Sequence, residues 1–326
     1  MAVMNRKVLI VGCGSIGKRH AECLRDIGIK SLVFFDTDYE KSEKLAALYG
    51  GSTVGSYEEG LNTDADAVYI LSPTGLHIEQ AIEAVKSGKH VFMEKPISDS
   101  LDGTDELERL AKEKGVIVEI GFCFRFHEGV KKLIRLIKKG DIGKIVSIRA
   151  VMGEHFPDVR PDYLSTYYVK HSGAFELVHD LDLAIYIAEE EPVECSGIYG
   201  SYSGLGFESP DMAEMLVRFP SCAANVHLDF FQSPRTRIMT VIGTEGQLIL
   251  EFSSWDQYIL KCYTREKKAW SEYIEKTERN DMFRAESENF FAAMEGKEKN
   301  LCPISEAIKS LIVVKAVQKN KNMEKV

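Results

Sequence analysis

The chain has 326 residues, of which 44% are hydrophobic and 28% charged, and it carries a formal net charge of −9. This composition is that of a globular protein, and the length favours two domains because single cores seldom grow to this size. The acidic balance excludes a broad nucleic-acid surface, which needs a basic footprint, and no apolar stretch has the length of a membrane span.

The first 120 residues alternate between strand and helix patterns. Lys7–Val11 is a short apolar run, followed by glycines and a helical pattern to about Ile27, and Ser31–Phe35 is the next apolar run. The later elements are a helix at Lys41–Tyr49, a strand at Ala67–Leu71, a helix at Ile78–Ser87, a strand at His90–Met93, a helix at Leu101–Lys114 and a strand at Val116–Ile120. Continuous apolar strands separated by helices predict an α/β domain with a doubly wound parallel sheet of the Rossmann type.

The pattern changes after Gly121. Glu128–Lys139 reads as a helix, Ile145–Val151 as a strand and Glu176–Ala188 as a helix. Strands on short connections follow at Val193–Ser201, Asp211–Phe219, Ala223–Phe231, Arg237–Gly243, Gln247–Phe252 and Tyr258–Tyr263, and the chain ends in helices at Arg279–Met294 and Ile304–Lys319. Consecutive strands on short connections are expected to pair antiparallel. We therefore predict a Rossmann domain over residues 1–123 and an α+β domain over residues 124–326, whose last helix, about 304–319, is a candidate to pack on the first domain.

The seven cysteines are scattered and never form a C-x-x-C pair. This pattern argues against a disulfide framework or a zinc ribbon and favours a reducing compartment. The apolar run before Gly12 is about five residues long, which is too short for a secretory signal. We therefore expect a soluble cytoplasmic protein.

A glycine-rich loop follows the first strand and opens a helix. In VLIVGCGSIGKRH, three glycines have G-x-G-x-x-G spacing, and Asp36 ends the next strand. The first glycine permits a tight turn, the second allows the main chain to approach a pyrophosphate, and the third lets helix and strand pack closely. An acid at position 36 accepts from a ribose 2′-hydroxyl and repels a 2′-phosphate, which favours NAD over NADP. The predicted cofactor residues here are Gly12, Gly14, Ser15, Ile16, Gly17 and Asp36.

A second candidate cofactor segment is Ser72-Pro73-Thr74, at the carboxyl end of the third predicted strand. Ligands bind at this edge of open α/β sheets. His77, just beyond, is included in the candidate set, although a packing or capping histidine at a helix start gives the same pattern.

Glu94-Lys95-Pro96 follows the strand HVFM. Proline restrains the lysine to an extended geometry and makes a cis bond accessible. Glu94 and Lys95 are therefore predicted to lie beside the cofactor, where the ammonium would bind a substrate hydroxyl and stabilise the alkoxide as hydride leaves. A surface lysine in an ordinary loop is the alternative reading.

The segment SGAFELVHDLDLA contains Glu176, His179, Asp180 and Asp182. A histidine flanked at helical spacing by carboxylates is a candidate general base for a substrate hydroxyl. A divalent-metal site and a capped helix start are the alternatives. No second histidine lies at ligand spacing, so we predict no metal.

Together these motifs resemble the glucose-fructose oxidoreductase/inositol dehydrogenase/rhizopine-catabolism (Gfo/Idh/MocA) family. The resemblance covers nearly the whole chain through GCGSIGKRH, SPTGLH, GKHVFMEKPIS, GFCFRFH, IGKIVSIRA, SGAFELVHDLD and VIGTEGQL. It implies an open, mostly antiparallel second sheet with helices on one face, often used for oligomerisation, and hence a homodimer or homotetramer. It also implies Lys95 and His179 as the catalytic pair, with Arg125 and Glu176 lining a pocket for a carbohydrate-like substrate.

Two positions depart from the family pattern. Cys123 stands where many relatives have asparagine, and Phe175 stands where an aspartate is common, which leaves the role of Glu176 open. The loop R-P-D-Y…Y resembles a subgroup associated with surface sugars or amino sugars. From this loop, Arg160, Tyr163, Tyr167 and Lys170 are candidate substrate contacts, with a polar packing loop as the alternative.

The sequence thus predicts an NAD-dependent oxidoreductase acting on a hydroxyl carbon of a sugar, cyclitol or sugar nucleotide. Two other functions stay open. One is an enzyme that retains NAD and uses transient oxidation for elimination or glycoside cleavage. The other is a non-catalytic NAD-binding sensor.

Overall fold

The structure, a computed structural model, describes residues 6–319, apart from the side chain of Tyr168. The described residues form two compact units. The first contains residues 6–123 together with Asn280–Ile308, and the second contains Phe124–Arg279 together with residues 309–319.

The first unit is built on a six-stranded parallel sheet. Its strands are β1 (Lys7–Val11), β2 (Ser31–Phe35), β3 (Ser52–Thr53), β4 (Ala67–Ile70), β5 (His90–Glu94) and β6 (Val118–Gly121). Their order is β3-β2-β1-β4-β5-β6, which is the order of a doubly wound sheet. The predicted Rossmann fold is confirmed.

Helices connect these strands. They are α1 (Ser15–Asp26), α2 (Tyr39–Tyr49), α3 (Tyr57–Leu61), α4 (His77–Lys86) and α5 (Thr104–Lys114). Val8, Leu9 and Ile10 of β1 are fully buried, as expected for a strand whose two faces are both covered. Helix α5 begins three residues later than predicted, because Gly103 directly before it has a φ of 77° and the chain turns there.

A helix from near the chain's end, α10 (Arg279–Met294), contributes to the core of this unit. Phe290 and Phe291 pack in the same cluster as Tyr69 and Phe92, and the rings of Tyr69 and Phe92 stack at 4.6 Å between centroids. For this reason Asn280–Ile308 groups with the first unit, whereas the sequence had assigned it to the second domain. That residues 1–123 and residues 124–326 are two separately folding domains stays a prediction.

The second unit is built on an eight-stranded sheet. Its strands are β7 (Ile145–Gly153), β8 (Glu194–Gly200), β9 (Met212–Arg218), β10 (Ala223–Asp229), β11 (Thr236–Gly243), β12 (Gly246–Glu251), β13 (Gln257–Thr264) and β14 (Ala269–Lys276). The order is β14-β13-β12-β11-β7-β10-β9-β8, and all neighbours are antiparallel except β7 and β10.

The predicted mostly antiparallel sheet is confirmed, but one detail was wrong. Strands β10 and β11 are consecutive on a short connection, yet they do not pair with each other. Strand β7 lies between them and pairs parallel with β10 and antiparallel with β11. The long path from β7 to β10 provides the crossover that a parallel pair needs.

The remaining helices are α6 (Glu128–Lys139), α7 (Phe156–Val159), α8 (Tyr167–Lys170), α9 (His179–Ala188) and α11 (Ile304–Lys319). The inward face of the sheet carries buried residues such as Leu250 and Tyr258, against which Gly129 of α6 packs. Side chains on the opposite face are more exposed, and several of them are apolar. None of the helices within residues 6–319 combines the length and hydropathy needed to span a bilayer.

Candidate active site

The three glycines of the loop between β1 and α1 differ in how much room they leave for a side chain. Gly12 has a φ of 98°, and a Cβ there would lie 2.6 Å from the carbonyl oxygen of Leu71. A Cβ on Gly17 would lie 2.1 Å from the carbonyl oxygen of Gly12. Gly14, in contrast, is exposed and has ordinary dihedral angles, and a Cβ there would meet no atom within 4 Å. The fold therefore requires glycine at 12 and 17, whereas Gly14 leaves open space beside the start of α1.

That open space fits a dinucleotide. Ser15 and Ile16 are the first residues of α1, and the free amide groups at a helix start attract phosphate charge. A side chain at position 14 would occupy the path by which a pyrophosphate reaches these amides. The loop residues thus fit the cofactor that the sequence predicted.

Asp36 directly follows β2, and main-chain amides fix its carboxylate. Oδ2 accepts from the amide of Cys13 at 2.7 Å, and Oδ1 accepts from the amide of Asp38 at 2.9 Å. The carboxylate is therefore held directly against the glycine-rich loop. Burial, followed by the charge of Asp36, raises the pKa of the Cys13 thiol to about 12, so this cysteine stays protonated and does not act as a nucleophile.

The segment Ser72-Pro73-Thr74 lies beyond the carboxyl end of β4, and His77 joins it to the segment after β5. Nε2 of His77 is 2.9 Å from the carbonyl oxygen of Ser72, and Nδ1 is 2.9 Å from that of Pro96. The ring is 1% exposed. These contacts support the packing role that the sequence left open for His77, and a direct contact with the cofactor stays a prediction.

Lys95 follows the last residue of β5 and is half-buried. The carboxylate of Glu94 accepts from the amide of Lys95 at 3.1 Å, and the Lys95–Pro96 peptide bond is cis. The lysine therefore stands at the carboxyl edge of the sheet, on the edge that carries the glycine-rich loop, Asp36 and Ser72.

In the second unit, His179 is the first residue of α9 and packs edge-on against Phe124, with 5.0 Å between the ring centroids. The Phe124 ring also contacts a cation: the guanidinium of Arg237 lies 4.0 Å from its centroid. Arg237 also forms an ion pair with Asp180 at 3.1 Å, and both side chains are almost fully buried. The residue next to His179 is thus anchored to β11, which fixes the start of α9.

Arg125 and Glu176 were predicted to line the substrate pocket. Arg125 is 2% exposed, and its Nε and Nη2 donate to the two carboxylate oxygens of Asp182 at 2.8 and 2.6 Å. Its guanidinium also lies 4.6 Å from the ring centroid of Tyr186. Glu176 accepts from the hydroxyl of Ser172 at 2.9 Å. Substrate contact by either residue stays a prediction.

The loop of residues 155–171 contains the other predicted substrate contacts. The hydroxyl of Tyr163 donates to the carbonyl of Leu205 at 2.7 Å, and its ring packs near Phe207. Tyr167 stacks on His171 at 4.2 Å, and Arg160 is half-buried at the end of α7. Tyr163 therefore has a clear packing role, while contacts with a substrate stay a prediction for all four candidate residues of the loop.

Two buried polar groups near the predicted catalytic residues were missed from the sequence. The first is Arg237, whose signal was its position in β11: it shares the inward register with Met239 and Val241, where an arginine is unusual. The second is a cluster around His20 and Glu94, whose signal was a histidine on the buried face of α1. The sequence places Asp182 beside His179 but does not predict the Arg125–Asp182 and Arg237–Asp180 pairs.

Comparison with known proteins decides the family. A model described as "Oxidoreductase family, NAD-binding Rossmann fold" matches residues 6–122, and a model of the "GFO/IDH/MocA C-terminal domain" matches residues 130–249. The chain belongs to the Gfo/Idh/MocA family. This membership confirms the predicted family and the predicted class of enzyme, an NAD-binding oxidoreductase.

Several relatives illustrate the range of the family. The myo-inositol 2-dehydrogenase of Thermotoga maritima is 33% identical over 234 residues, which are 68% of this chain and 67% of the relative. The uncharacterized oxidoreductase YrbE of Bacillus subtilis is 31% identical over 212 residues, which are 63% of this chain but only 59% of YrbE. A levoglucosan dehydrogenase solved with NADH and levoglucosan has a TM-score of 0.85 at 18% identity, with 96% of both chains covered, and shows the shared fold.

Proposed function

We propose that this Gfo/Idh/MocA chain is an NAD-dependent dehydrogenase that moves hydride between nicotinamide and a hydroxyl-bearing carbon of a sugar, cyclitol or sugar nucleotide. The observation that carries the proposal is the placement of Lys95. It stands at the same edge of the parallel sheet as the glycine-rich loop and Asp36, where ligands of such sheets bind. The named activities of inositol and levoglucosan dehydrogenases support a carbohydrate-like substrate.

The proposed chemistry assigns one role to each residue. NAD, held by the glycine-rich loop and Asp36, supplies the hydride acceptor when bound. The Lys95 ammonium donates a hydrogen bond to the substrate hydroxyl oxygen and stabilises the negative charge that develops there. His179 takes the hydroxyl proton on an imidazole nitrogen. Lys95 belongs to the first unit and His179 to the second, so their convergence on one carbon is part of the proposal.

A screen of polyols, uronates and sugar nucleotides tests this function. The expected result is net formation of reduced nicotinamide, followed by its absorbance, with at least one class of substrate. An enzyme of the transient-oxidation type would give no net reduced nicotinamide but would exchange hydrogen between substrate and solvent. A sensor would bind NAD and give neither signal.

We further propose NAD rather than NADP as the cofactor, on the basis of the Asp36 carboxylate held beside the glycine-rich loop. Replacing Asp36 with serine removes the charge that repels a 2′-phosphate and leaves only a shorter, neutral acceptor for a 2′-hydroxyl. The ratio of the dissociation constants for NADP and NAD, measured by calorimetry, is expected to fall at least about 30-fold, or roughly 2 kcal/mol. Asp38→Ser is the matched control, because it keeps the amide that bonds Asp36. An unchanged ratio in Asp36→Ser would contradict this assignment.

We propose a homodimer or homotetramer in which a second copy covers the outward face of the eight-stranded sheet. Ile198 and Leu216 near one edge of that face, and Trp270 and Ile274 on the strand at the other edge, are 36–59% exposed, and exposed apolar side chains of this size favour an interaction surface. Leu216→Lys, at the centre of β9, is expected to lower the mass measured by light scattering. A wild-type chain that already scatters as a monomer would contradict the proposal.

The proposed compartment is the cytoplasm. All seven cysteines are free thiols, which suits a reducing environment. Cell fractionation tests this location, and recovery of the protein outside the cytoplasm would contradict it.

A further inference from the structure

Three ionisable side chains meet in the core of the first unit. His20 of α1, Glu94 at the end of β5 and Glu286 of α10 each place one nitrogen or oxygen within 4.8 Å of the others. They are 0%, 8% and 1% exposed. Charged side chains are seldom buried this deeply unless they are paired, so the cluster calls for a functional account.

The surroundings of the cluster are aromatic. The His20 ring lies 5.1 Å from Phe92, 5.6 Å from Tyr69 and 5.5 Å from Phe283, measured between centroids. Two carboxylate charges whose oxygens lie within 4.8 Å of each other would repel strongly there, because aromatic surroundings screen charge poorly. The repulsion is avoided when one of them keeps its proton.

Glu286 is the group that keeps it. Burial, followed by the charges of Glu94 and Glu119, raises the pKa of Glu286 well above its ordinary value. Neither of its carboxyl oxygens has a hydrogen-bond partner among the described residues. A neutral Glu286 therefore adds no negative charge beside Glu94.

The Glu94 carboxylate connects the cluster to Lys95. Its Oε1 lies 2.9 Å from Nε2 of His20, and its Oε2 accepts from the main-chain amide of Lys95 at 3.1 Å. On the other side of the lysine, the ring of His77 lies 2.9 Å from the carbonyl oxygen of Pro96. The main chain at Lys95 is thus held from both sides by buried histidines, one of them acting through Glu94.

We propose that His20, Glu94 and Glu286 form a positioning cluster for Lys95, in which His20 holds the Glu94 side chain where it accepts from the Lys95 amide and Glu286 closes the cluster from α10. This inference rests on the proposed function, which takes Lys95 as the catalytic lysine. The three groups also have the composition of a metal site, but the 2.9 Å contact between His20 and Glu94 has the length of a hydrogen bond, and we assign it as one.

The test uses a readout that needs no substrate. Lysines of the full-length protein are acetylated competitively with acetic anhydride, and the rate at Lys95 is compared with those at Lys41 and Lys44 on the exposed side of α2 by peptide mass spectrometry. His20→Phe keeps a ring among the aromatic neighbours but removes the bond to Glu94, and Glu94→Gln removes the charge at nearly constant size. Each is expected to raise the relative rate at Lys95 at least about threefold. In Glu94→Gln the carboxylate charge beside the lysine is lost, and in His20→Phe the carboxylate is no longer held against the Lys95 amide.

Two controls define the result. His90→Phe changes a histidine at the opposite end of the same strand, where Nδ1 accepts from the amide of Ile117 at 3.0 Å, and it is expected to leave the rate at Lys95 within about twofold. Glu286→Gln exchanges a neutral carboxyl for a neutral amide and is expected to do the same. If His20→Phe does not fold, as judged by circular dichroism and NAD binding, the labelling rate in Glu94→Gln alone decides whether the cluster positions Lys95.

The outcomes separate this inference from the proposed function. Wild-type Lys95 labelling in Glu94→Gln overturns the cluster, as does a rise in Glu286→Gln equal to that in Glu94→Gln. A stoichiometric divalent metal found by elemental analysis of the purified protein also overturns it. If Lys95→Met keeps full turnover on a substrate found in the screen, the proposed function fails, while the labelling result still decides whether the cluster positions this side chain.

Discussion

Replacing Lys95 with methionine is expected to lower kcat at least about 100-fold while leaving the dissociation constant for NAD within about threefold. Methionine keeps the length and the apolar part of the side chain but cannot donate a hydrogen bond to a developing alkoxide. Lys95 stands at the end of β5 and contributes its side chain beyond the sheet, so the fold is expected to tolerate the change. Steady-state kinetics on a substrate found in the screen and calorimetry with NAD measure the two quantities.

The matched control is Lys89→Met, just before the other end of β5. The Nζ of Lys89 donates to the carbonyl of Thr63 at 2.7 Å, far along the strand from Lys95, and kcat is expected to stay within about threefold of wild type. An equal loss in both variants would mean that the strand, and not the Lys95 ammonium, had been disturbed.

His179→Asn completes this prediction, with an expected loss in kcat of similar size. If the lysine and the histidine act on one hydroxyl group, the double variant should lose little more than the worse single variant, because residues that act as a unit are not additive. Losses that simply multiply would contradict a shared reacting centre. Full turnover in both single variants would show that neither residue acts in the reaction.

The first unit could be predicted almost completely from the sequence. Its strands are continuous apolar runs because both faces of the sheet are covered, and the glycines that end its helices are local signals. The two elements that were missed, β3 and α3, are two and five residues long. Elements of that length carry too few residues to show a period.

The second unit was less predictable because its errors concern distant pairing. Strand β14 was missed because none of its residues is buried and nearly all are exposed, so this edge strand has no buried face to show a pattern. The insertion of β7 between β10 and β11 pairs residues as far apart in the chain as Ser147 with Ala223 and Ile145 with Gly243, and no local pattern records it. The same holds for α10, whose Phe290 and Phe291 complete the core of the other unit.

Within the candidate site, the placement of the motifs at one sheet edge could be predicted from the sequence, but the partners of the side chains required the structure. Gly12, Asp36 and Lys95 lie at one sheet edge, as parallel strands dictate. The sequence could not show that Arg125 bonds Asp182 or that Arg237 bonds Asp180, since many pairings of opposite charges are compatible with one sequence. Burial selects among them, because a charge in a core must be paired.

Because the Arg125–Asp182 pair is buried, breaking it is expected to destabilise the protein strongly. Both side chains are almost fully buried, and removing one partner leaves an uncompensated charge in the core of the second unit. Arg125→Met and Asp182→Leu are each expected to lower the free energy of unfolding by about 3–5 kcal/mol. The double variant, which leaves no unpaired charge, is expected to recover a large part of the loss. Urea unfolding followed by tryptophan fluorescence measures the effect, because both tryptophans, Trp255 and Trp270, belong to the second unit.

An exposed arginine–carboxylate pair in the same sheet is the control for this prediction. Arg218 and Glu194 also form a two-point pair, with contacts of 2.9 and 2.6 Å, but they are exposed on β9 and β8 of the same sheet. Water and salt screen such a pair, so Arg218→Met is expected to leave the urea midpoint almost unchanged. If Arg125→Met and Arg218→Met shifted the midpoint equally, burial would not be what makes the first pair matter. A double variant no more stable than either single one would show that the shape of the Arg125–Asp182 pair, and not the cost of an unpaired charge, stabilises this core.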